Sequence, residues 1–174
     1  MRVVIPYVPR FLHADVLSAL VSCNPEAVDV SASDFAYGEL LVRLWSPPFD
    51  EDLLLVEHDV VVGFDTVDQL ITCACEWGAF PYLGANGEEI TGLGCVRFRR
   101  GFMATHPDAM MRAVGSTNPG GLPPGHWVRL DGWIRQALLP FEPHVHHPCV
   151  THHHDPTESR CDGVRPLAIR QALR

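Results

Sequence analysis

A chain of 174 residues, 47% of them hydrophobic, can bury one good core but is too short for two full domains. Its formal net charge of -8 excludes a global attraction to polyanions, so any nucleic-acid contact would need a local arginine patch. All thirteen basic residues are arginine, which rules out lysine-based Schiff-base or P-loop chemistry.

No stretch approaches eighteen uninterrupted apolar residues, and the N-terminus shows no basic region followed by a signal-type apolar core. The chain therefore reads as soluble and cytoplasmic, with no membrane partner. In that setting the six cysteines (Cys23, Cys73, Cys75, Cys95, Cys149 and Cys161) are expected as reduced thiols. Cys73-x-Cys75 lacks the two-residue spacing of a zinc knuckle, so zinc is not the expected use of that pair.

In chain order, Val3 to Tyr7 reads as a strand ended by Pro6 and Pro9. Val16, Leu17, Leu20 and Val21 then mark an amphipathic helix over His13 to Cys23, stopped by Asn24-Pro25. Val28 to Val30 is a short strand. Ser33 or Asp34 caps a helix to about Trp45, with Phe35, Leu40, Leu41 and Leu44 inward and Ser46-Pro47-Pro48 as its break. The run Leu53-Leu54-Leu55-Val56 reads as a strand buried on both faces, ending in Glu57-His58-Asp59.

Asp65 is expected to cap a helix to Cys75, Trp77 to Tyr82 is extended, and Asn86-Gly87 signals a turn. Gly92 to Phe98 is a strand whose glycines let a ligand or a second backbone approach closely. A helix from about Thr105 to Val114, a mobile Gly/Pro-rich loop over Gly115 to Gly125 and a last helix from Leu130 to Leu139 follow. This order predicts a single-domain α/β fold with a mostly parallel, Rossmann-like sheet flanked by helices.

In such sheets ligands bind beyond the carboxyl ends of the strands, which is where Glu57-x-Asp59 falls. Two hard oxygen donors there suit Mg²⁺ or Mn²⁺, usually shared with substrate phosphates. An acceptor hydroxyl attacking near such a cation needs a carboxylate such as Asp131 to take its proton. Tyr7 can stack on a base and Arg43 can pair with a phosphate.

Together these pieces resemble the small metal-dependent glycosyltransferases of the GT-A fold, which use nucleotide sugars. Glu57-His58-Asp59 is similar to the family's acidic "DxD" signature, Leu130-Asp131 to its late catalytic base, and Val150-Thr151-His152-His153-His154 to its late metal-binding histidine. The resemblance implies a GT-A-like catalytic domain over residues 1–154, and the residues from Asp155 onward read as a loosely ordered tail over 155–174. It implies Mn²⁺ or Mg²⁺ on Glu57, Asp59, His152 and His154, and a donor, UDP-sugar favoured, held by Tyr7, Arg43, Glu57, His58 and Asp59. Asp131 would be the base of an inverting transfer to a hydroxyl acceptor. A hydroxylated base in DNA is one candidate, although the acidic charge argues against tight backbone binding. The sequence departs from the pattern in having Glu at the first acidic position and in being short for a member, so large acceptor inserts must be missing.

Two other functions use the same residues: a metal-dependent hydrolase, which would show a histidine-rich metal shell, and a non-catalytic metal-binding module. Individually, Glu57 and Asp59 also read as solvated loop acids and Asp131 as a helix N-cap. The histidines from His144 to His154 also read as a surface tract that captures metal adventitiously. Arg97, Arg99 and Arg100 read as a solvated edge, and Trp77 and Trp127 as core or pocket wall.

Overall fold

The computed structural model describes residues 1–83, 89–116, 125–127 and 130–152. Its strands and helices alternate through the first half of the chain: β1 (Arg2–Tyr7), α1 (Ala14–Leu20), β2 (Glu26–Asp29), α2 (Ala36–Leu44) and β3 (Leu53–Val56). Then come β4 (Val60–Val61), α3 (Phe64–Thr72), β5 (Trp77–Ala79), β6 (Tyr82–Leu83), β7 (Glu89–Ile90) and β8 (Cys95–Phe98). Helices α4 (Arg100–Thr105), α5 (Ala109–Gly115) and α6 (Leu130–Ala137) and strands β9 (His144–Val145) and β10 (Thr151–His152) complete the order.

The main sheet has six strands in the order β2-β1-β3-β8-β5-β9. Only β8 is reversed, pairing antiparallel with both β3 and β5, while the β1–β2, β1–β3 and β5–β9 pairs are parallel. This is the mostly parallel α/β architecture expected from the sequence. The four residues of β3 are all buried, as a strand covered on both faces must be.

Alternation along the strands divides the interior in two. Val4, Leu53, Leu55, Val96 and Phe98 face α2, α4, α5 and α6, packing on Leu40, Leu41, Leu44, Phe102, Met110 and Ile134. Val3, Ile5, Leu54, Val56 and Cys95 face α1 and α3 through Val16, Leu20, Val67 and Leu70. Trp77 stacks on Phe98 with ring centres 5.5 Å apart, which settles it as core. Trp127 is 37% exposed.

Several expected boundaries move for local reasons. The helix expected from about Thr105 to Val114 is two helices, because Pro107 disfavours helical backbone at His106, which ends α4 at φ -128° and ψ 53°. Helix α4 carries a glycine and has barely more than a turn, so Phe102 and Met103 in the core sustain it where propensity would not. Helix α3 is capped at Gly63, whose N–H donates to the Thr66 hydroxyl, and it ends at Thr72 because Cys73 is extended. Arg97 is no solvated edge. It is 1% exposed, its guanidinium pairs with Asp52 at 3.1 Å and donates to the carbonyls of Cys73 and Cys75.

The Asn86-Gly87 turn, most of the Gly115–Gly125 loop and the tail over 155–174 lie outside the described residues. Among the described residues no helix is long and apolar enough to cross a membrane.

Candidate functional site

Strand β3 delivers Glu57 just beyond its carboxyl end, where the Glu57 N–H donates to Gly94 O at 2.9 Å. A tight turn follows, closed by Val60 N–H donating to Glu57 O at 3.0 Å, so Glu57 and Asp59 are held on a short, fixed arc. Strand β4 then pairs antiparallel with β10, with His152 opposite Val60. That register sets His152 beside Asp59, Nε2 to Oδ2 at 3.1 Å, with side-chain exposures of only 10% and 15%. Ligand atoms of Glu57, Asp59 and His152 all lie within 4.8 Å of one another.

Asp131 joins this group from the first turn of α6. It does not spend its side chain on capping: one oxygen accepts from the Leu93 N–H and the other from the Tyr82 hydroxyl at 3.1 Å. The close approach needs glycine, because a Cβ at position 92 would stand 2.4 Å from the Asp131 carboxyl carbon. Tyr37, in the first turn of α2, donates its hydroxyl to Glu57 at 2.9 Å, and the Tyr82 ring lies 4.5 Å from that of His152.

Three carboxylates in one partly buried place repel one another. Burial, reinforced by the charges of Asp131 and Asp59, pushes the Glu57 carboxyl well above the usual range, against the opposing hydrogen bond from Tyr37. Burial likewise raises Asp131, although the Leu93 N–H, Tyr82 and His152 pull the other way. Folding therefore strengthens proton binding at both groups, and stability drains away as pH rises from the ordinary carboxylate range through their raised folded values. With chelator present, the melting temperature should fall as pH rises above the ordinary carboxylate range, and Glu57→Gln should flatten that slope. Equal slopes in both proteins would place the strain elsewhere.

No protein-family model and no curated protein matches the chain. Among solved structures it is similar to one titled "Crystal Structure of A197 from STIV", at 16% identity and a TM-score of 0.49, over 89% of this chain and 87% of that one. What the site can do follows from its own residues.

A divalent cation fits the donor set. Cis ligands of an octahedral ion with metal–oxygen distances near 2.1 Å stand about 3.0 Å apart, which matches the Asp59–His152 separation. Carboxylates with a single imidazole suit Mn²⁺, and Mg²⁺ less well because it prefers oxygen throughout. The positive ion would also offset the burial and the neighbouring charges that raise Glu57.

The other expected site residues are placed as follows. Tyr7 ends β1 at the same edge of the sheet but packs half-buried towards α1 and α3. His58 stacks on Phe11, ring centres 6.1 Å apart, and is not one of the residues whose ligand atoms converge with Glu57, Asp59 and His152. Arg43 is not brought to the site: it is exposed in the last turn of α2, at the far end of the helix from Tyr37. Helix α2 runs away from the carboxyl edge of the sheet, so the phosphate contact expected of Arg43 lies outside this cluster. His154 lies outside the described residues.

Sequence reasoning missed Tyr37 and Tyr82, which carried no motif. Tyr37 becomes meaningful only once the first turn of α2 reaches the carboxyl edge, and Tyr82 only once β6 sets its ring against His152 and its hydroxyl on Asp131. Gly92 was flagged for a close approach, and the approaching group is the Asp131 side chain.

Proposed function

We propose that the chain is a metal-dependent glycosyltransferase that moves a sugar from a nucleoside diphosphate donor to a hydroxyl acceptor. The observation that carries this reading is the convergence of Glu57, Asp59 and His152 within 4.8 Å beyond the carboxyl end of β3, with Asp131 hydrogen-bonded beside them. Glu57, Asp59 and His152 would hold Mn²⁺ or Mg²⁺. When bound, the cation supplies charge neutralisation for the departing diphosphate.

Asp131 takes the proton of the acceptor hydroxyl as the new carbon–oxygen bond forms at the sugar and the old one to phosphate breaks, its electron pair leaving with the diphosphate. The raised carboxyl of Asp131 suits it to this proton transfer, because a base works best with a pKa closer to the working pH. Tyr82 and the Leu93 N–H fix its orientation. The donor set, oxygen-rich with one imidazole, favours this reading over a histidine-rich hydrolase shell.

A melting screen of UDP, GDP, CDP and dTDP with and without Mn²⁺ tests the proposal. One diphosphate should stabilise the protein only with the metal, by about 2.7 kcal/mol at a hundredfold excess over its dissociation constant. Equal shifts with and without Mn²⁺ would sink it, since the acids alone repel a diphosphate.

A further inference from the structure

A second cluster lies towards the other edge of the sheet. Cys73 caps the end of α3, Cys75 leads into β5, and His146 follows β9 with its N–H donating to Ala79 O at 2.9 Å. Both thiols and one His146 nitrogen lie within 4.8 Å of one another. Gly78, beside them, pairs with Arg97, which pairs in turn with Leu54, so the cluster sits away from the carboxyl ends where Glu57 emerges.

Three observations point to a ligand here. His146 Nε2 is buried and has no hydrogen-bond partner among the described residues, which is costly for an imidazole nitrogen. The two nearest atoms over Gly78 are candidate ligand atoms: a Cβ there would stand 3.0 Å from Cys75 Sγ and 3.1 Å from His146 Nε2. The 73–75 turn is fixed from beneath, with Arg97 donating to both carbonyls and Arg99 to that of Cys73.

We propose that Cys73, Cys75 and His146 form a zinc site that clips the edge strand β9 to the α3–β5 turn. Tetrahedral Zn²⁺ with Zn–S near 2.3 Å and Zn–N near 2.0 Å sets its ligands about 3.5 to 3.8 Å apart, within reach of the observed spacing, with a water taking the fourth position. Two thiolates and one imidazole select a soft, borderline ion over Mn²⁺ or Mg²⁺, so this site and the acidic one take different metals. The charges balance: two thiolates neutralise Zn²⁺, and Arg97 is already paired with Asp52. The one-residue spacing of the cysteines, which argued against zinc, is offset by a third ligand from the far end of the chain.

The test uses the full chain, reduced, stripped with chelator and titrated with Co²⁺ as a spectroscopic stand-in for Zn²⁺. One equivalent should give a thiolate-to-cobalt charge-transfer band with the intense visible bands of a tetrahedral site, bleached by stoichiometric Zn²⁺. The signature should persist in an Asp59→Asn/His152→Ala background. In that background Cys75→Ser should remove it, and His146→Ala, which spares the Arg97 network, should weaken zinc binding about a hundredfold or more, because even outer-shell changes cost ten- to a hundredfold. Gly78→Ala should also weaken it by crowding the ligand atoms. The proposal is overturned if cobalt binds without a charge-transfer band, if the band survives Cys75→Ser, or if His144→Ala/His147→Ala removes it. That last result would make the metal a passenger on the surface tract.

Discussion

Asp131→Asn should bind the nucleoside diphosphate with almost unchanged affinity and lose roughly two to four orders of magnitude in transfer rate. The amide keeps an oxygen for the Leu93 N–H, and the Tyr82 hydroxyl can turn to accept from the new NH₂, so the local network survives. What disappears is basicity. The change also removes one of three mutually repelling carboxyls, so the metal-free variant should melt no lower than the parent. Initial-rate measurements beside a melting curve decide it. Transfer near the parent rate would return Asp131 to a purely structural role and leave the base to be found elsewhere.

The second large effect is expected at Gly92. Gly92→Ala sets a methyl group 2.4 Å from the Asp131 carboxyl carbon, a distance that no side-chain rotation of alanine can relieve. Overpacking of this kind costs about 1 to 3 kcal/mol, or a melting point lower by several degrees in a chain of this size. Because the Asp131 Cβ itself would stand 2.8 Å from the new methyl, Asp131→Ala should restore only part of the stability that Gly92→Ala removes, the part lost to the carboxyl group. Residues in contact are coupled in this way, and a double-mutant cycle measures the coupling. Additive losses would show that the glycine serves the backbone and has no special tie to Asp131.

Much of the fold was legible because its signals are local. The fourfold apolar run of β3, the helical spacing of Leu40, Leu41 and Leu44, and the alternation of turns and strands all survive in the structure. Glu57, Asp59 and His152 were legible as chemistry. Their meeting was not, because it depends on a two-residue ladder between β4 and β10 that no periodicity reports. The same limit explains Arg43, where helix direction relative to the sheet decides the matter, and Arg97, whose burial follows from Asp52 and two carbonyls distant in sequence. His146 looked like part of a surface tract until strand β9 joined the sheet edge and carried it to the cysteines.

The ladder that carries His152 has a consequence for the life of the chain. The acidic arc is complete once β3 and β4 exist, whereas its imidazole arrives only when the chain has been made as far as β10 and that strand has come back to β4. A nascent or truncated chain lacking that return would carry the acids without their histidine and hold the ion weakly. Full-strength capture of the proposed cation would then report that the chain has been made past His152, and the ion would tie together segments far apart in the sequence. A nick between β9 and β10 should accordingly loosen the proposed ion while the six-stranded sheet stays paired.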